Sequence, residues 1–169
     1  IIEVWAAGSF KKYWATQARV AFPELAGGRV MAEGVANLRE YPRESFFGLG
    51  PESRRQDQSE FSLRLSEVGA RGGVRVAPAL LVGAGAFAFS PRASMHAVDY
   101  LRSDGFVEVD YREPLSARRG GWYRLDVSRF TDRNDGAFTF SRADLDLRQY
   151  FGLFAERRVI ALRGWVSSA

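Results

Sequence analysis

The chain contains no cysteine, one histidine (His96) and only two lysines (Lys11 and Lys12) in 169 residues. Without cysteine there can be no disulfide framework and no thiolate metal site. A lone histidine supplies neither a His-rich metal cluster nor a second imidazole for a relay, and His96 reads as a loop residue. No apolar run approaches the roughly 18 residues that a membrane-spanning helix requires, and Ile1-Ile2-Glu3-Val4-Trp5 lacks the pattern of a secretory signal. If the protein is exported, that signal is expected upstream. A transmembrane β-barrel is not excluded by these absences, because its alternating strands leave little trace in average hydropathy. The charge excess is small, 24 basic against 20 acidic side chains for a net +4. The arginines are spread along the chain, whereas a nucleic-acid partner calls for a clustered patch, so none is expected.

What the sequence does contain is alternation. Trp14, Ala18, Val20 and Phe22 share one parity, and Tyr13, Gln17 and Arg19 the other. Val30, Ala32, Gly34, Ala36 and Leu38 then oppose Arg29, Glu33, Asn37 and Arg39. A period of two is the mark of a strand with one apolar and one polar face. It returns in Phe61 to Ser66, shifts phase near Glu67 and resumes in Val68 to Val76, which implies a β-bulge or a strand that outruns its buried zone. Leu80 to Phe89 is small or apolar on both parities and gives no orientation. Ser90 to Asp104 reads as polar and irregular. Further strands are expected over Gly105 to Arg112, Tyr123 to Ser128, Phe138 to Tyr150 and Arg157 to Ser168. The total is about nine strands with no helix, joined alternately by short turns and longer polar connections.

Two environments produce such a pattern. In a soluble β-sandwich binding module the apolar face is the core; in a membrane barrel it meets lipid while the charged face lines the lumen. Three features favour the barrel. The strands are about 10 to 14 residues, long for a soluble sheet but suited to a tilted membrane crossing. Gly and Ala on the apolar parity fill a core poorly. Aromatic residues, among them Tyr13, Trp14, Phe22, Tyr111, Trp122, Tyr123, Phe138, Phe140 and Tyr150, gather near strand ends as interface girdles do.

No catalytic constellation emerges. Leu80 to Ala88 imitates the strand and glycine turn of a dinucleotide fold, but Ser90-Pro91 follows where a helix should begin, so no phosphate cradle forms. Asp144 and Asp146 could mimic an acid/base pair, yet they sit between Arg142 and Arg148 and read as a salt-bridge ladder. The chain is therefore expected to be no enzyme, with no cofactor, metal or small-molecule substrate. A lumenal network of Glu108, Asp110, Arg112, Arg124, Asp126, Arg142, Asp144, Asp146, Arg148 and Arg163 is expected to fix strand register.

Tyr41 to Ser53 is the least periodic stretch, with Phe46 and Phe47 as an apolar anchor, Gly48 and Gly50 for unusual backbone, and Pro51. It is expected to form an ordered surface loop that packs on the barrel rim. Together with Asp57, with Asp110-Tyr111-Arg112, Pro114 and Arg119-Gly120-Gly121, with Phe140-Ser141-Arg142, Leu147-Arg148-Gln149-Tyr150 and Val159-Ile160-Ala161-Leu162-Arg163, it resembles the β-barrel domain of BamA/TamA-type outer-membrane proteins, the bacterial surface antigens. The resemblance runs in order over nearly the whole chain; Glu113 departs from the Asp and Asn that relatives often carry before the turn proline. It implies an all-β, antiparallel, up-and-down transmembrane barrel, with residues 1–169 forming a single partial domain of about nine strands from a barrel of about sixteen. It also implies that periplasmic domains, closing strands and the family's Arg-Gly-aromatic lumen loop lie outside these residues. The implied location is the Gram-negative outer membrane, the implied partners are outer-membrane lipid and client outer-membrane or secreted proteins, and the implied role is their assembly or translocation. A passive pore, or a barrel anchoring another domain, would share the same alternation.

Overall fold

The computed structural model describes residues 1–46, 56, 58–94, 96–113, 118–154 and 157–169. Within them the chain forms one antiparallel sheet of nine strands laid side by side in chain order, and no α-helix. The strands are β1 (Ile2–Gly8), β2 (Trp14–Leu25), β3 (Val30–Phe46), β4 (Ser59–Ala77), β5 (Leu80–Ala93), β7 (Tyr100–Asp110), β8 (Gly120–Asp132), β9 (Phe140–Leu153) and β10 (Arg158–Ser168). A two-residue strand, β6 (His96–Ala97), pairs only with the end of β5. Every path strand pairs with its chain neighbours, so the topology is a pure up-and-down meander. Among the described residues β1 and β10 pair on one side only, and the sheet is not closed.

The short connections 26–29, 78–79 and 154–157 lie at one end of the sheet together with the longer 111–119, and 9–13, 47–58, 94–99 and 133–139 lie at the other. At the tight end Gly27 and Gly28 take φ of 70° and 83°, left-handed values that glycine adopts without a Cβ penalty. Ala26, at φ 50° in the same turn, adopts that region without this advantage.

The strands outrun the sequence pattern in places. β3 continues through Tyr41 to Phe46, with a register shift between Tyr41 and Glu44, so the expected loop begins later than Tyr41. β5 extends to Ala93 and β7 starts at Tyr100, so both ends of the stretch read as irregular, Ser90 to Asp104, belong to strands. The phase change near Glu67 is not a bulge: β4 pairs without interruption from Leu63 to Val74 on both sides. Leu63 and Leu65 therefore share a face with Glu67 and Arg71, and the composition of that face changes along a regular 19-residue strand.

Register assigns every side chain to one of two faces. One carries Val4, Val20, Leu38, Val68, Val82, Val107, Leu125, Leu147 and Leu162, all exposed. The other carries the charges, and also the four buried apolar residues Ala21, Leu81, Phe87 and Phe106. The crowded face of this sheet is thus the charged one, the reverse of a water-soluble sandwich, and among the described residues nothing covers the Tyr123, Leu125 and Val127 surface. Side chains from β4 to β10 line one recess on the charged face, so the sheet curls around that side.

Candidate functional site

The floor of the charged face is made of glycine. Gly69 pairs with Phe87 and Gly83 with Phe106 across neighbouring strands, and each ring lies over its glycine where a Cβ would collide with ring and backbone. Arginines form the next layer. The Arg102 Cζ stands 4.0 Å from the Phe87 ring centroid and the Arg124 Cζ 4.2 Å from that of Phe106. Arg148 repeats the contact on Trp122 at 4.6 Å. A guanidinium over an aromatic face is attracted to the ring and keeps its edge free for carboxylates.

Those edges are occupied. Arg102 donates to Glu67 Oε1 at 2.6 Å. Arg124 donates to Glu108 at 3.0 Å and, through Nε and Nη2, to both oxygens of Asp126. Arg148 and Arg163, from β9 and β10, both grip Asp146. Arg142 is bidentate on Asp144, and Arg112 on Asp110. All ten residues expected to form a charged network therefore share one face, and all ten are ion-paired with another member. The pairs are partly exposed, so each contributes about 0–1 kcal/mol. Their larger effect is on register, since a one-residue slip would carry an entire strand's charges to the apolar side.

The network is wider than the sequence pattern indicated. Glu3, Arg19 and Glu33 form a second ladder across β1, β2 and β3, and Glu67 and Arg102 connect β4 to β7. Asp104 is the exception. Its side chain is 4% exposed and neither carboxylate oxygen has a hydrogen-bond partner among the described residues. The nearest cation, Arg102 Nε, is 3.9 Å away and that guanidinium already serves Glu67. Arg71 Nε is likewise buried without a hydrogen-bond partner among the described residues.

Both ends of the sheet are aromatic. On the charged face at the long-connection end, Phe89, Tyr100, Phe130 and Phe140 pack ring to ring, with Phe130 and Phe140 stacked at 4.6 Å. At the tight-turn end the Tyr111 and Tyr123 hydroxyls meet at 2.8 Å beside Gln149, with exposed Phe22 and Phe151 on the apolar face. At the opposite rim of the apolar face charges appear: Glu40, Arg64 and Arg92 stand in one cross-strand row, and Trp14 Nε1 donates to Glu40.

Of the expected surface-loop residues, Phe46 ends β3 and is exposed. Phe47, Gly48, Gly50 and Pro51 lie outside the described residues. Among the described residues no three His, Asp or Glu side chains converge in a metal-like cluster. Comparison with family models, with characterised proteins and with solved structures found no match.

Proposed function

We propose that the chain forms part of the wall of a transmembrane β-barrel in the Gram-negative outer membrane, of the BamA/TamA type that assembles or translocates other proteins. The observation that carries the membrane part of this reading is the exposed apolar face. Nine strands about 4.8 Å apart, with a band about 25 Å tall, present roughly 1,000 Å². Soluble monomers rarely expose a continuous apolar patch beyond a few hundred Å². The band also has the right height. Trp14 to Phe22 on β2 and Val30 to Leu38 on β3 are nine-residue crossings, and a tilted strand needs about 9–11 residues to cross hydrocarbon. Aromatic and charged residues bound the band at both ends, as at a membrane interface.

The assembly role rests on the motif resemblance over Tyr41 to Arg163. It is tested by folding the full chain into phosphatidylcholine vesicles and supplying an unfolded client barrel. Faster client folding than in empty vesicles is the expected result. Ion conductance with no effect on the client would instead identify a passive pore. Recovery of the chain as a compact monomer in water, without detergent, would overturn the membrane reading itself.

A further inference from the structure

We infer that the β1–β2 turn is a contact site for phosphate-bearing lipid headgroups; this rests on the membrane reading and specifies which lipids the wall selects. Both lysines of the chain lie in this one turn. Ser9 N–H donates to Tyr13 O at 2.8 Å and Lys12 N–H to Ser9 O at 2.9 Å, which sets Lys11 and Lys12 at the tip with Phe10 fully exposed beside them. Lys12 has φ 66°, a left-handed conformation that glycine or asparagine adopts at lower cost. A lysine is held where local geometry favours another residue.

The charges of this turn also differ from those of the surrounding rim. Arg43 pairs with Glu60, Arg64 with Glu40 and Arg92 with Asp99. Neither lysine has an ion-pair partner among the described residues, and the sequence from Gly8 to Thr16 contains no carboxylate. Lys11, Lys12 and Arg43, with Phe10, Tyr13 and Pro42, border an open recess just past Trp14, where the apolar band ends. With that band in hydrocarbon, the recess lies at the depth of the headgroups. Unshared ammonium groups there attract lipid phosphates, while Phe10 can enter the acyl boundary. The opposite turn, Ala26 to Arg29, has no aromatic residue and a single cation.

The test compares urea unfolding of the full chain in phosphatidylcholine vesicles with vesicles that also contain phosphatidylglycerol. The wild type is expected to gain roughly tenfold in its folding equilibrium from the anionic lipid, a gain that shrinks at high salt. The K11Q/K12Q variant should lose most of it and R29Q should keep it. K12G relaxes the turn backbone, so a reduced gain in K12G separates headgroup contact from a purely structural role. A full gain in K11Q/K12Q overturns the inference, as does an equal gain when inorganic phosphate is added to phosphatidylcholine vesicles. Equal folding in both vesicle types overturns this inference alone; failure to fold into either overturns the membrane reading with it.

Discussion

The guanidinium of Arg102 lies over the ring of Phe87, Cζ to centroid 4.0 Å, and the ring itself lies over Gly69. Glycine, ring, guanidinium and carboxylate form one column across three strands, because Gly69, Phe87 and Arg102 are successive cross-strand partners and Glu67 closes the column on β4. Each layer depends on the one beneath it. A methyl group at Gly69 would strike the Ala86 carbonyl and the Phe87 ring, whereas one at Gly164 would meet nothing within 4 Å. Gly69→Ala is therefore expected to lower unfolding stability in detergent micelles by about 1–3 kcal/mol, with Gly164→Ala near neutral. Equal effects from the two substitutions would show that the column does not constrain the fold.

Asp104 and Asp146 should respond in opposite directions to the same substitution. Asp104 is a buried carboxylate without a hydrogen bond among the described residues, and Asp146 is held by Arg148 and Arg163. Neutralising an unsatisfied buried charge removes its desolvation cost, while neutralising a doubly paired one weakens two charge-assisted contacts. Asp104→Asn should raise stability by about 1 kcal/mol and Asp146→Asn should lower it by up to about 2 kcal/mol. Denaturant midpoints of the two variants decide the matter. A loss of stability in Asp104→Asn would mean that the carboxylate has a partner that the described residues do not supply.

The alternation of β8 and β9 was legible because Arg124 and Asp126, and Arg142, Asp144, Asp146 and Arg148, occupy successive positions of one parity, whereas in β2 and β3 it rested on fewer polar residues, Gln17 and Arg19, and Glu33, Asn37 and Arg39. The charged network was legible where charges lie two apart, as in Arg142, Asp144, Asp146 and Arg148. It was missed where aromatics replace charges. Tyr100, Arg102, Asp104, Phe106 and Glu108 share one parity, but two of the five are apolar-bodied rings, and the Ser90 to Asp104 stretch read as a loop. In β5, Gly83 and Gly85 face the same side as Phe87, so neither parity looked polar; only the cross-strand arginines reveal which face that is. Leu63 and Leu65 misled in the same way, as apolar residues on the charged face near its aromatic end.

The loop after β8 carries a pH-dependent contact. Asp132 accepts from the Asn134 N–H at 2.8 Å and the Phe138 N–H at 3.3 Å, and these donors, the Asn134 N–H foremost, hold its carboxyl below the usual carboxylate range. The residue lies past Arg129, where the apolar band of β8 has ended. A carboxyl whose folded pKa is depressed stabilises the fold fully above its unfolded pKa of about 4, and the contribution fades as pH falls through the lower folded value. The thermal midpoint of the wild type should therefore exceed that of Asp132→Asn near neutral pH, and the gap should close on acidification below about pH 4. A gap that stays constant down to strong acid would remove the carboxylate from the loop's stability.

Leu125 offers the sharpest test of what the apolar face meets. It is 42% exposed and lies in the middle of β8, between Tyr123 and Val127, with Val107 and Leu145 as cross-strand neighbours. Against water, Leu125→Arg would be close to neutral, because an exposed arginine keeps its hydration and removes apolar surface. Against hydrocarbon the same substitution costs about 2–4 kcal/mol near the midplane. The expected outcome is a loss of that size in vesicles, with a smaller loss for arginine at Thr131, beyond Arg129 toward the rim. A depth-dependent penalty of this kind requires a bilayer. An Arg variant that instead stays folded and becomes more soluble without lipid would place water, or another protein, against the face now assigned to lipid.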